Sequence, residues 1–284
     1  MARIITIASG KGGVGKTTLT ANLGIALSQM GKRVLLVDAD IAMANLSLLL
    51  GMQSSPITLH DVLLGESAID DAIYDGPAGS NFIPSGLSLE SYRRVDSERL
   101  ESVVRSVAEK YDFILLDAPA GIEKNVMAAL AAADEILLLT VADSPSIADV
   151  LKIKLTAQRL GSNPIGVVLN LSTGEKGEIG SDDIMKMLEL PVYGVIPFDP
   201  EVRRSFMQEK VQPVILRKPN SPASIAIRKI AAKIAGVKIE SFYVQEKRKG
   251  FLSRLAGLFK RGKKTPKAAE IKKETEAQKR AAKK

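Results

Sequence analysis

Apolar and polar positions along this chain fall into blocks. Short runs of β-branched and aliphatic residues are separated by stretches in which apolar residues recur three and four positions apart. The runs read as buried strands and the 3.6-period stretches as helices packed on them. The pattern predicts a strand over residues 4–8, a helix carrying Leu19, Leu23, Ile25, Ala26 and Leu27 that stops at Gly31, and a strand over 33–38. A short helix follows at 59–64 before Gly65, then a short strand at 81–84. An amphipathic helix spans 96–110, with Leu100, Val103, Val104 and Val107 at helical spacing. Residues 111–116 read as a buried strand closed by Asp117, 123–133 as a helix of small residues, 135–141 as a strand and 147–160 as a helix. A strand over 164–170 leads into an exposed loop at 172–180. The chain continues with a helix over 181–190 capped by Ser181, a strand over 192–197 and a closing helix over 222–235. Strands alternating with helices argue for an α/β fold with a doubly wound, mostly parallel sheet.

Composition narrows the chemistry. The 284 residues include no cysteine and one histidine. Disulfides, thiol nucleophiles, zinc–thiolate sites and cysteine-held iron–sulfur clusters are excluded. The single His60 has no partner at ligand spacing and reads as structural; with it alone no Ser-His-Asp triad can be assembled. The start of the chain reads directly as a strand, with no signal-peptide pattern. No apolar run reaches the ~18 residues that span a bilayer. The formal charge of +8 is unevenly spread: residues 247–284 hold 15 Lys and Arg against 3 Glu, a net of +12, which leaves −4 on the first 246. The expected organisation is a globular domain over 1–246, an amphipathic helix over 247–264 and a basic tail over 265–284.

Between the first strand and the first helix lies Gly10-Lys11-Gly12-Gly13-Val14-Gly15-Lys16-Thr17-Thr18. This is the P-loop pattern G-x-x-x-x-G-K-[ST] in the strand–turn–helix context it requires. Glycines let the backbone N–H groups close around phosphate, and the helix N-terminus adds donors and a positive dipole end. In that pattern Lys16 reaches the β- and γ-phosphates and Thr17 holds Mg²⁺. Phe113-Ile114-Leu115-Leu116-Asp117 has the Walker B form, an apolar strand ending in a carboxylate that binds Mg²⁺ directly or through water.

Lys11, a second lysine at the start of the loop, makes it resemble the deviant Walker A loop of the MinD/ParA family of ATPases. The resemblance extends to Asp38, Asp40 and Asn45, which match that family's switch I segment, and to residues 117–121, which match its switch II. It implies a Mg²⁺-dependent ATPase in which Lys11 crosses an ATP-dependent homodimer interface to the partner's phosphates. It further implies that Asp38 and Asp40 position Mg²⁺ and water, with Asp40 orienting the nucleophile and Asn45 near it. Asn170, Pro197 and Asp199 would lie around the adenine. Relatives that hold an iron–sulfur cluster are excluded by the missing cysteines.

In the tail, Phe251, Leu252, Leu255, Leu258 and Phe259 fall on one helical face, flanked by Arg254, Lys260 and Arg261. That is the pattern of an interfacial helix on an anionic membrane surface. Its start resembles the membrane-targeting end of one branch of the same family. One such helix binds lipid weakly; two held in a dimer gain by avidity. The expected location is the cytoplasm and the cytoplasmic face of the membrane. The expected role is placement of the division site or another structure, with a protein activator or cargo. Two alternatives stay open: a DNA-partitioning ATPase whose basic tail grips nucleic acid, and a localisation scaffold with little turnover.

Overall fold

The computed structural model describes residues 1–52, 55–86, 88, 94–208 and 211–238. Eight strands form one sheet in the order β3-β4-β2-β5-β1-β6-β7-β8. They are β1 (Arg3–Ala8), β2 (Val34–Asp38), β3 (Tyr74–Asp75), β4 (Asn81–Ile83), β5 (Phe113–Asp117), β6 (Glu135–Thr140), β7 (Asn163–Ser172) and β8 (Val192–Pro197). All neighbours are parallel except β3 and β4. The helices are α1 (Lys16–Gln29), α2 (Leu46–Leu49), α3 (Leu59–Leu64), α4 (Leu100–Ser106), α5 (Lys124–Ala131), α6 (Ser144–Arg159), α7 (Ser181–Leu188), α8 (Pro200–Phe206), α9 (Val214–Arg217) and α10 (Pro222–Ala235). None of the described helices is long and apolar enough to cross a membrane.

The sheet is buried on both faces, which is why its central strands read as continuous apolar runs. Ile4, Leu35, Val37, Ile114, Leu116, Ile136 and Leu138 face the core under α3 to α7. Ile5, Ile7, Leu36, Phe113, Leu115, Leu137 and Leu139 face the opposite core with α1, α9 and α10. Gly24 lets α1 settle on β2, since a Cβ there would lie 2.4 Å from Leu36 Cδ2. Residues Met1–Val237 form one compact unit.

Several local expectations are corrected. The helix expected over 96–110 is α4 with a 3₁₀ turn on either side, Ser97–Arg99 and Ala108–Lys110. Val107 leaves the helical region (φ −110°, ψ 3°), and Asp96 starts the segment by accepting the Glu98 N–H at 3.1 Å. Gly180, not Ser181, is the N-cap of α7, and no side chain caps it; Asp182 and Asp183 complement the helix dipole instead. The helix expected from 147 begins at Ser144, because Asp143 caps it and a proline stands in its first turn. β7 runs to Ser172 through Leu171, whose φ is +57°. β3, α2, α8 and α9 have no counterpart in the pattern. The expected boundary at 246, the helix over 247–264 and the tail lie outside the described residues.

Candidate functional site

The parallel strands β1, β2 and β5 bring their carboxyl ends together, where ligands of open α/β sheets bind. β1 hands the chain to the loop of residues 9–15, and α1 follows at once. Gly13 (φ +78°) and Gly15 (φ +95°) occupy the left-handed region, which their lack of a Cβ allows. Gly15 is also the N-cap of α1, so no side chain occupies the first N–H groups of that helix. These groups and the loop amides border an open cleft of about 580 Å³ lined by Gly12, Lys16, Thr17, Asp40, Asn45 and Phe206, among others.

Lys16 is buried, 8% exposed, and its Nζ donates to Ser9 Oγ at 3.0 Å. Burial pulls its pKa below the usual lysine value, while the charges of Asp117 and Asp40 oppose that. Asp117 is buried at the end of β5. Thr20 Oγ1 lies 3.1 Å from its Oδ1, and the Thr17 hydroxyl also bonds it. Burial raises the Asp117 pKa to about 6, against the pull of those hydroxyls and Lys16. Burial also raises Asp40, whose Oδ1 accepts the Met43 N–H at 3.0 Å.

Asp38 is where the geometry departs from the expected metal and catalytic role. It is wholly buried. Its Oδ2 accepts the N–H groups of Asn45 (3.1 Å) and Leu46 (3.0 Å), and its Oδ1 accepts that of Asp40 (3.2 Å). The carboxylate is spent on the backbone of the segment after β2, and burial, then Asp117, raises its pKa well above the usual range. It anchors that segment instead of facing the cleft. Asn45 is exposed, lines the cleft and donates to the Met43 carbonyl at 2.9 Å. His60 is buried, with Nε2 3.0 Å from the Ile41 carbonyl.

Two carboxylates, Asp40 and Asp117, thus act on one ammonium in a largely buried site. The oxygens of Thr17, Asp40 and Asp117 there are hard donors suited to a small divalent cation. No three His, Cys, Asp or Glu side chains converge as a closed metal cage among the described residues. A site with one or two carboxylates, a hydroxyl and phosphate oxygens fits Mg²⁺ better than a cage does.

A second cavity of about 170 Å³ adjoins the loop from the β7–β8 side and touches Gly13, Gly15 and Thr18. Asn170, Pro197 and Asp199 all line it. Asp199 has its carboxylate committed within the protein, to the N–H groups of Glu201 (2.9 Å) and Ala223 (3.1 Å). Burial disfavours its charge, yet those donors hold its pKa below the usual range. Asn170 Nδ2 donates to the Val14 carbonyl at 2.8 Å. Val14 itself is buried in the core under α1, so only its backbone faces the loop interior.

Lys11 is exposed and forms no ion pair among the described residues. Its charge reaches Asp143: the Ser146 N–H, and then the charge of Lys11, lower the Asp143 pKa. Ser9 and Thr20 were not anticipated. Thr20 lies one turn beyond Thr17, on the same face of α1, which is the signal that could have found it. Phe251, Leu252, Leu255, Leu258 and Phe259 lie outside the described residues.

Residues 5–213 match the CobQ/CobB/MinD/ParA nucleotide binding domain. An uncharacterised ATP-binding protein of Methanocaldococcus jannaschii is 45% identical over 262 residues, covering 92% of this chain and 98% of that protein. The crystal structure of the cell division ATPase MinD of Pyrococcus furiosus superimposes with a TM-score of 0.80 at 38% identity, over 83% of this chain and 99% of the other. The septum site-determining protein MinD of Pyrococcus horikoshii, complexed with Mg-ADP, gives 0.79 at 38% identity, over 82% and 96%.

Proposed function

The chain belongs to the CobQ/CobB/MinD/ParA nucleotide-binding family, and from that premise we propose that it is a Mg²⁺-dependent ATPase switch that pairs in the ATP state and cycles on and off a membrane. The observation that carries the reading is Lys16. A buried ammonium stands beneath an uncapped helix N-terminus and is flanked by Asp40 and Asp117.

ATP lies with its β- and γ-phosphates against the loop amides and Lys16, where backbone donors and the helix dipole stabilise negative charge. Its base enters the cavity beside Asn170 and Pro197. Thr17 and Asp117 would hold Mg²⁺, which would supply charge neutralisation at the phosphates. Asp40 orients the attacking water; the γ-phosphorus bond to the bridging oxygen breaks, leaving ADP and phosphate. Catalysis of this kind is chiefly positioning and electrostatics. Asp38 fixes the backbone between Asp40 and Leu46, so that Asp40 and Asn45 keep their place at the cleft.

Lys11, exposed beside the loop, reaches the phosphates of a second copy and makes pairing depend on ATP. Pairing joins two tails, and the apolar residues Phe251, Leu252, Leu255, Leu258 and Phe259 of both bind anionic lipid together where one tail binds marginally. Positioning of the division site, or of another structure, is the role that fits such a switch.

Sedimentation with anionic liposomes tests this. The intact chain pellets with lipid in Mg-ATP and stays soluble in Mg-ADP, while Phe251→Asp and Lys16→Ala stay soluble in both. Pelleting that ignores both nucleotide and Phe251 would make the tail a simple polycation and turn attention to DNA.

A further inference from the structure

The hydrogen bond from Asn170 to Val14 joins the end of β7 to the middle of the glycine-rich turn, 156 residues earlier in the chain. The approach is close: a Cβ on Gly15 would lie 2.5 Å from Asn170 Nδ2. Asn170 is 8% exposed and lines the smaller cavity. Next to it, Leu171 takes the left-handed conformation at φ +57°, a strained backbone for a residue with a Cβ. The β7–β8 register shifts between Leu169 and Ser172, so the strand is deformed where it meets the loop.

We propose that Asn170 is a positioning residue for the phosphate loop, fastening the Val14 carbonyl so that filling of the base-side cavity and the shape of the anion-binding turn are tied together. The inference rests on the nucleotide reading above. Two carbonyl oxygens repel at 2.8 Å, so the amino end of the carboxamide must face Val14. That leaves Oδ1, which forms no hydrogen bond among the described residues, as the end available to a ligand. A ring amine can donate to it. A ring carbonyl in the same place favours rotation of the amide, and rotation breaks the bond to Val14. The identity of the base is thereby felt at the phosphates.

Inorganic tripolyphosphate carries the phosphates without a base and separates the two jobs of Asn170. Calorimetric titration with Mg²⁺ is made on the intact chain, Asn170→Ala and Asn170→Leu; the leucine keeps the bulk of the side chain. Loss of one loop-bracing hydrogen bond weakens tripolyphosphate binding by roughly three- to tenfold in both variants. The amide signal of Gly15, which shares a peptide group with the Val14 carbonyl, moves in both variants while those of Leu36 and Ile230 stay in place. Adenosine, a base without phosphates, shifts the Gly15 signal in the intact chain and not in Asn170→Leu. Unchanged tripolyphosphate affinity in both variants, with weakened ATP binding, would reduce Asn170 to a base contact and overturn the proposal. An intact chain that bound neither ATP nor tripolyphosphate would overturn the nucleotide reading itself.

Discussion

Lys16 Nζ donates to Ser9 Oγ at 3.0 Å, and Ser9 Oγ donates in turn to the Lys11 carbonyl at 2.8 Å. One hydroxyl therefore holds both the lysine beneath the phosphates and the backbone of the lysine at the start of the loop. Its removal by Ser9→Ala leaves the fold in place, since the side chain is small. A hydrogen bond to a charged group contributes about 1.5–3 kcal/mol, and water replaces part of it here. The KM for ATP rises roughly three- to tenfold, with a smaller change in kcat. Steady-state phosphate release checks this.

Lys16→Ala and Asp117→Asn remove charges fixed in advance around the phosphates. Loss of one such group lowers kcat by about 10²–10³. Both variants are compared by turnover and by thermal melting without nucleotide, so that lost folding is told apart from lost chemistry.

Gly10 serves packing. A Cβ there would stand 2.5 to 2.7 Å from the Cβ and backbone of Asp149 in α6. Backbone cannot step aside as a flexible side chain can. Gly10→Ala destabilises the nucleotide-free protein by about 1–3 kcal/mol, whereas Gly12→Ala, whose Cβ would meet only Ala120 Cβ at 4.0 Å, shifts the urea midpoint far less.

Glu178 organises the loop after β7. The Thr173 N–H, then the hydroxyls of Ser172 and Thr173, then the Gly174 N–H hold its carboxylate, and its pKa falls from 4.5 to about 2. The depressed value places its contribution to loop order above the unfolded pKa near 4.5; that contribution is lost as pH falls through 2. Glu178→Gln removes it at every pH. Amide exchange at Thr173 and Gly174 speeds up in the variant at pH 6, while the intact chain approaches the same rates only in strong acid.

The sheet and the loop were legible because their signals are local. Buried parallel strands need unbroken apolar runs, and a glycine-rich turn between strand and helix has few other uses. The backbone contacts of Asp38 are not legible in the sequence, because a carboxylate at a strand end looks the same whether it faces a cleft or caps the next segment; the N–H groups of Asp40, Asn45 and Leu46 are brought to it by the fold. Ser9 and the brace from Asn170 to Val14 join residues through tertiary approach, which no periodicity encodes. β3 and α9 are too short to carry a period.

In the proposed switch, ATP, through Lys11, converts single chains into pairs. Sedimentation velocity on the intact chain and Lys11→Ala, each in Mg-ATP and Mg-ADP, tests it most directly, with nucleotide binding measured alongside. The intact chain sediments at twice the single-chain mass in Mg-ATP and as single chains in Mg-ADP, and Lys11→Ala sediments as single chains in both although it still binds nucleotide. An assembly state that ignores the γ-phosphate, or a Lys11→Ala protein that pairs as the intact chain does, would contradict the proposed switch.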